Sequence, residues 1–164
     1  MKNTNNLNNQ TGSINIIKKD IYTIRLNDEK GNYTGNNIEF NMADIDLALK
    51  YNNALEEIDK VKKHIKTQEI IIRKKQDVKG IYLSKNEKAI YELYSKGYKD
   101  MRSAMDKFLG KDGCQKIFGD INYIEMFNDL DTMLRPHFEK MGMSMKNIKN
   151  RIQEKYKIEK DNTI

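Results

Sequence analysis

The chain has 164 residues, a formal charge of +6 and one cysteine, and a third of its side chains are charged. That length is most simply one domain, large enough to bury roughly two thirds of its unfolded surface, and a lone Cys114 excludes an internal disulfide. The longest aliphatic run, Ile70-Ile71-Ile72, falls far short of the roughly 20 apolar residues that span a bilayer, so no membrane association is expected.

Met1 to Ser13 is Asn-rich and almost wholly polar, which predicts a disordered tail and no signal peptide, hence a cytoplasmic protein. One domain is expected over residues 14–158, with a β-hairpin at 20–41 and a helical part at 44–158, before a frayed C-terminus at 159–164. Tyr22-Thr23-Ile24-Arg25-Leu26 alternates as a half-buried strand does. The segment Asn27–Asn37 reads as a long polar loop, and Ile38-Glu39-Phe40 as the returning strand. Such a hairpin is marginal alone and must pack on a helix or join further strands.

From Asp44 to about Lys75 the period becomes helical. Leu47, Tyr51, Ala54, Ile58, Val61 and Ile65 form an apolar seam, interrupted at Gln68 and resumed at Ile72. Gln76–Tyr82 reads as a connection. Ser84-Lys85-Asn86-Glu87 has the form of a capping box. It opens a second helix with Ile90, Tyr94, Gly97 (or Tyr98), Met101, Met105 and Phe108 on one face, ended by Gly110. The two long helices should lie antiparallel, seam on seam. A short turn from Gly113 to Phe118 follows. A third helix is predicted from near Asn122, burying Tyr123, Met126, Phe127, Leu130 and Leu134, with a stop or kink near Arg135 caused by Pro136. Ser144 should cap a last helix whose apolar side holds Met145, Ile148, Ile152 and Tyr156. The fold class is thus α+β and predominantly helical: an N-terminal hairpin, a long helix, an antiparallel second helix and two or three shorter ones.

The excess positive charge lies mainly between Lys60 and Lys79, with a smaller share between Lys140 and Lys160. Within the long helix acids come early and lysines late, which complements the helix dipole. A solvated helix end accounts for this at least as well as phosphate binding, and no aromatic residues are interleaved to stack bases.

Few residues carry any chemistry. Gly110-Lys111-Asp112-Gly113-Cys114-Gln115-Lys116 superficially resembles a phosphate loop, yet it lacks the terminal Gly-Lys-Ser/Thr and follows a helix instead of a strand. Cys114 with His64 or His137 would be a nucleophile and base, but neither histidine sits in a local motif. The same three residues have no metal-ligand spacing. Glu56-Glu57 and Asp129/Asp131 read as solvated faces. Neither an enzyme nor a cofactor is expected. Two apolar clusters are the candidate partner-binding residues: Ile70, Ile71 and Ile72, which offer more apolar surface than one seam needs, and Met141, Met143 and Met145, whose methionines either accept varied partners or fill core.

Three segments together resemble a known family. Tyr22–Leu26, Gly31-Asn32-Tyr33-Thr34-Gly35 and Phe40-Asn41-Met42-Ala43-Asp44-Ile45-Asp46-Leu47, leading into a long helix, resemble the small tail assembly chaperones of long-tailed bacteriophages of Gram-positive hosts. Phe108–Gly119, followed by Met126-Phe127-Asn128-Asp129-Leu130, resembles the family's Phe-Leu-Gly…Gly linker and the helix after it. The likeness runs from about Tyr22 to Tyr156; Cys114 stands where a small polar residue is expected. The resemblance implies a non-enzymatic factor in the host cytoplasm that binds the tape measure protein, with the tail tube protein or a second copy as further partners. The rival expectations are a structural component of a phage tail or phage-tail-like bacteriocin, and a small basic nucleic-acid-binding regulator.

Overall fold

A computed structural model describes residues 11–17, 20–143, 146–147, 149–150 and 153–154. It has the expected class: an antiparallel two-stranded hairpin, then a long helix and further helices, α+β and mostly helical.

Strand β1 (Ile21–Asn27) pairs with β2 (Tyr33–Asn41). Side chains alternate across a sheet, so one face collects Tyr22, Ile24 and Leu26 with Ile38 and Phe40. Tyr22 stands opposite Phe40 and Ile24 opposite Ile38. Ile38 and Phe40 are buried. The loop is shorter than the sequence predicts, because β2 begins at Tyr33 and only Asp28–Asn32 turn. The Asp28 carboxylate accepts the Lys30 and Asn32 N–H groups at 2.9 and 2.8 Å, and the Thr34 hydroxyl donates to the Leu26 carbonyl. These side-chain bonds extend the pairing past a register shift between Arg25 and Asn27.

Helix α1 (Leu47–Arg73) starts three residues after Asp44. The Asp44 carboxylate instead accepts the Asp46 N–H and pairs with Lys50, closing a turn before the helix. The first turn of α1 therefore holds no acid, and the expected dipole complement is confined to Arg73 at its far end. Helix α2 (Lys85–Leu109) opens with the capping box: Glu87 N–H donates to Ser84 Oγ, and Ser84 N–H to Glu87 Oε2.

The two long helices pack along their seams. Leu47, Ala54, Ile58 and Ile65 of α1 are buried with Gly97, Met101, Ala104, Met105 and Phe108 of α2. At Gly97 the helices approach closely, since a Cβ there would stand 2.3 Å from Ile65 Cδ1 and 2.9 Å from Ile65 Cγ1. Two polar links bridge the pair: Tyr94 donates to Glu69 at 2.8 Å, and Lys107 pairs with Glu57 at 2.9 Å.

Helix α3 (Gly113–Phe118) follows directly, and α4 (Met126–Met141) closes the core with Met126, Phe127, Leu130, Leu134 and Met141. Two expectations fail here. First, α4 begins at Met126, because Arg102 holds the preceding segment non-helical. Its guanidinium donates to the Gly119 and Ile121 carbonyls and to Asn122 Oδ1 at 2.6–2.8 Å. Tyr123 is consequently 40% exposed. Second, α4 does not stop near Arg135 but continues through Pro136 to Met141. Thr132 to Arg135 includes one buried residue, Leu134, while Thr132 and Pro136 are exposed, so water can take the carbonyl that proline leaves unpaired. Residues 146–147, 149–150 and 153–154 are helical, and the predicted cap Ser144 and apolar positions Met145, Ile148, Ile152 and Tyr156 lie outside the described residues.

Candidate partner-binding surface

The free end of the α1–α2 hairpin combines apolar exposure, fixed backbone and positive charge. Ile70 and Ile71 are 49% and 45% exposed at the end of α1. In the connection, Val78, Ile81 and Tyr82 project into solvent, and Tyr91 follows on α2. Ile81 and Tyr82 keep essentially their whole surface in water.

This exposure does not come from a loose loop. Asp77 Oδ1 accepts the Val78 and Asn86 N–H groups, each at 2.9 Å, and the Asn86 amide donates to the Lys75 carbonyl. The Val78 carbonyl accepts the Lys85 N–H at 2.8 Å. At Gly80 a Cβ would fall 2.0 Å from the Leu83 carbonyl oxygen, so only glycine lets the chain fold back this tightly. The Ser84 hydroxyl and the Asn86 N–H also hold the Asp77 carboxyl below the usual carboxylate range. A tip anchored in this way presents bulky apolar side chains at a defined place, which is what a docking surface needs.

Charge is divided sharply along residues 20–143. Residues 60–99 contain twelve Lys and Arg against four Asp and Glu, whereas residues 20–59 and 100–143 contain nine against seventeen. All four acids of the distal part are engaged locally: Glu69 with Arg73 and Tyr94, Asp77 with the loop backbone, Glu87 with Ser84, and Glu92 with Lys88. Lys74, Lys75, Lys79 and Lys85 are exposed beside the apolar residues.

The two sequence-predicted clusters therefore separate. Ile70 and Ile71 belong to the tip, with Ile72 half-buried at its base. Met141 is 5% exposed and is a core residue; Met143 is half-buried against that core; Met145 lies outside the described residues. Met143 shares a groove with Tyr51, Leu55 and Phe138. At 1.5 Å per residue, Tyr51 and Ile70 are about 28 Å apart along α1, so the clusters form no common surface. Val78, Ile81, Tyr82 and Tyr91 were not singled out from the sequence. Their signal was Ile81-Tyr82-Leu83, three large apolar residues in a connection too short to bury them.

The remaining candidates are dispersed over the fold. Cys114 is buried, its N–H donates to Asp106 Oδ1 at 2.7 Å, and its thiol points to the Arg102 carbonyl. Burial, reinforced by Asp106, pushes the thiol well above its ordinary range and disfavours the thiolate. At the start of α3 the Asp106 carboxylate occupies the position that a phosphate would need. His137 Nδ1 and the Tyr22 hydroxyl share a 2.8 Å hydrogen bond that ties β1 to α4. His64 lines a shallow groove between α1 and α2 with Lys60, Lys96 and Asp100. Glu57 pairs with Lys107, and Asp131 with Tyr51 and Arg135. Among the described residues no three His, Cys, Asp or Glu side chains are grouped to hold a metal, and no helix is long and apolar enough to cross a membrane.

Comparison with protein families, curated proteins and solved structures finds no match to this chain.

Proposed function

We propose that this protein is a non-enzymatic tail assembly chaperone of a bacteriophage, acting in the host cytoplasm to keep the tape measure protein soluble until tail tube subunits replace it. The observation that carries the reading is the anchored tip, where Ile81 and Tyr82 are held in solvent with Ile70, Ile71 and Val78 nearby. A chaperone that must later be displaced requires a modest apolar contact, complete in itself and reversible, and a patch of this size supplies one. The resemblance of Tyr22–Leu47 and Phe108–Leu130 to that chaperone family supports the same reading.

The test is coexpression with a tape measure protein. Its soluble fraction should rise when this protein is present; equal insolubility with and without it would reject the chaperone role.

A second reading, a small nucleic-acid-binding regulator, draws on the twelve basic residues of the distal hairpin. It requires binding whose logarithm falls with log salt at a slope of several units, and absence of binding at about 50 mM salt removes it.

A further inference from the structure

We infer that the tip of the α1–α2 hairpin receives an acidic amphipathic helix of the client, an inference that rests on the client-binding reading above. The tip offers two complementary features side by side. Ile70, Ile71, Val78 and Ile81 are aliphatic, and together with Tyr82 and Tyr91 they give a partner something to cover. Around them stand Lys74, Lys75, Lys79 and Lys85, with every distal acid already hydrogen-bonded or ion-paired within the hairpin. An apolar stripe flanked by Asp and Glu matches both features at once.

Nucleic acid matches only one of them. Phosphates would pair with the lysines, and bases could stack on Tyr82 and Tyr91, but four exposed aliphatic side chains would gain no partner. Arg73, the only arginine of the tip, is bound to Glu69 and is not free for bidentate phosphate contacts. The acidic body of a second copy is a poorer complement than a separate helix. Several of its carboxylates are already committed: Asp44 to Lys50, Glu57 to Lys107, Asp106 to the Cys114 N–H, and Asp131 to Tyr51 and Arg135.

The experiment uses the full chain and three fluorescein-labelled probes followed by anisotropy. One is a 20-residue amphipathic helix (about 30 Å) with a Leu/Ile stripe and Glu flanks; the second has the same stripe with Lys flanks; the third is a single-stranded oligonucleotide of about 20 nucleotides. The Glu-flanked helix should bind, at least tenfold more tightly than the Lys-flanked one, and should weaken at least tenfold between about 50 and 500 mM salt. Ile81→Ser with Tyr82→Ser should abolish this binding without moving the thermal midpoint, since both side chains are exposed. Lys74→Glu with Lys79→Glu should reverse the preference between the two peptides. Equal affinity for both peptides, preference for the oligonucleotide, or undiminished binding by the Ile81/Tyr82 variant would overturn the inference. So would salt-sensitive self-association that depends on Ile81 and Tyr82 without peptide binding, which would assign the tip to a second copy. The two readings fail separately. If coexpression solubilises a tape measure protein equally well with the Ile81/Tyr82 variant, the tip assignment falls and the chaperone role stands. If the peptide binds as described but coexpression has no effect, the tip assignment stands and the chaperone role falls.

Discussion

The Tyr51 hydroxyl donates to the Asp131 carboxylate at 2.5 Å, joining α1 to α4 across 80 residues of sequence. The tyrosine ring lies against Phe108 and Phe138, with centroids at 4.8 and 4.7 Å, so the hydrogen bond sits at the edge of an aromatic cluster. Tyr51 and Arg135 together hold the Asp131 carboxyl below the usual carboxylate range, Tyr51 contributing most. Burial, with Asp131 beside it, pushes the Tyr51 hydroxyl above the ordinary tyrosine range.

Both shifts make stability depend on pH, in opposite directions. A depressed carboxyl contributes stability above its unfolded value near 3.9, and this is lost as pH falls through the folded value. A raised tyrosine contributes below its unfolded value near 10, and this is lost as pH rises through the folded value. Tyr51→Phe keeps the ring contacts and removes the hydroxyl. It should cost about 1.5 kcal/mol at neutral pH, measured by urea unfolding, because the lost bond is to a charged acceptor. It should also flatten both pH limbs. An unchanged acid limb would show that Asp131 does not depend on Tyr51.

Gly97 tests the seam. Gly97→Ala gains about 1 kcal/mol of helix propensity but places a Cβ against Ile65, and Gly97→Leu should destabilise by about 2 kcal/mol through overpacking. The decisive measurement is a cycle with Ile65→Ala, which removes the two atoms nearest to that Cβ. Gly97→Ala should be clearly more favourable in the Ile65→Ala background. Additive effects would mean that the helices do not meet here.

Arg102 tests why α4 begins late. Its guanidinium satisfies three acceptors in 119–122 and lies 5.9 Å from the Phe118 ring centroid. Arg102→Ala should cost about 2 kcal/mol and raise amide hydrogen exchange at 119–125. Arg102→Lys should recover only a fraction, because an ammonium cannot reach three acceptors in the fork geometry.

Asp77 tests the order of the tip. Asp77→Ala should speed hydrogen exchange over residues 76–84 while the global thermal midpoint barely moves, since the loop lies outside the core. Because this carboxyl is also held below its usual range, lowering the pH through that folded value should loosen the same segment in the unmodified protein.

Much of the architecture is local and so was readable from the residues. The capping box at Ser84–Glu87, the seam from Leu47 to Ile65 and the short helix at Gly113–Phe118 depend on neighbours a few positions apart, where residue type constrains geometry directly. The failures involve distant partners. Nothing near Asn122 shows that Arg102 will bind the backbone there, and nothing near Pro136 shows which carbonyl will face water. The site divides in the same way. The surplus of Ile70 and Ile71 followed from the period of one helix, whereas the exposure of Ile81 and Tyr82 depends on Asp77 binding across the loop to Asn86. Met141 could not be assigned from sequence, because methionine suits a core and a surface equally well and only α4's packing decides.

The separation of charge has a consequence for speed. Within residues 20–143, twelve bases and four acids at the hairpin end stand against nine bases and seventeen acids elsewhere, so this part of the protein carries a charge dipole. In the field of an acidic partner it should rotate before contact and arrive tip first, raising the encounter rate more than it strengthens the final complex. At physiological ionic strength the field fades over about 8 Å, so this orientation acts only in the last nanometre of approach.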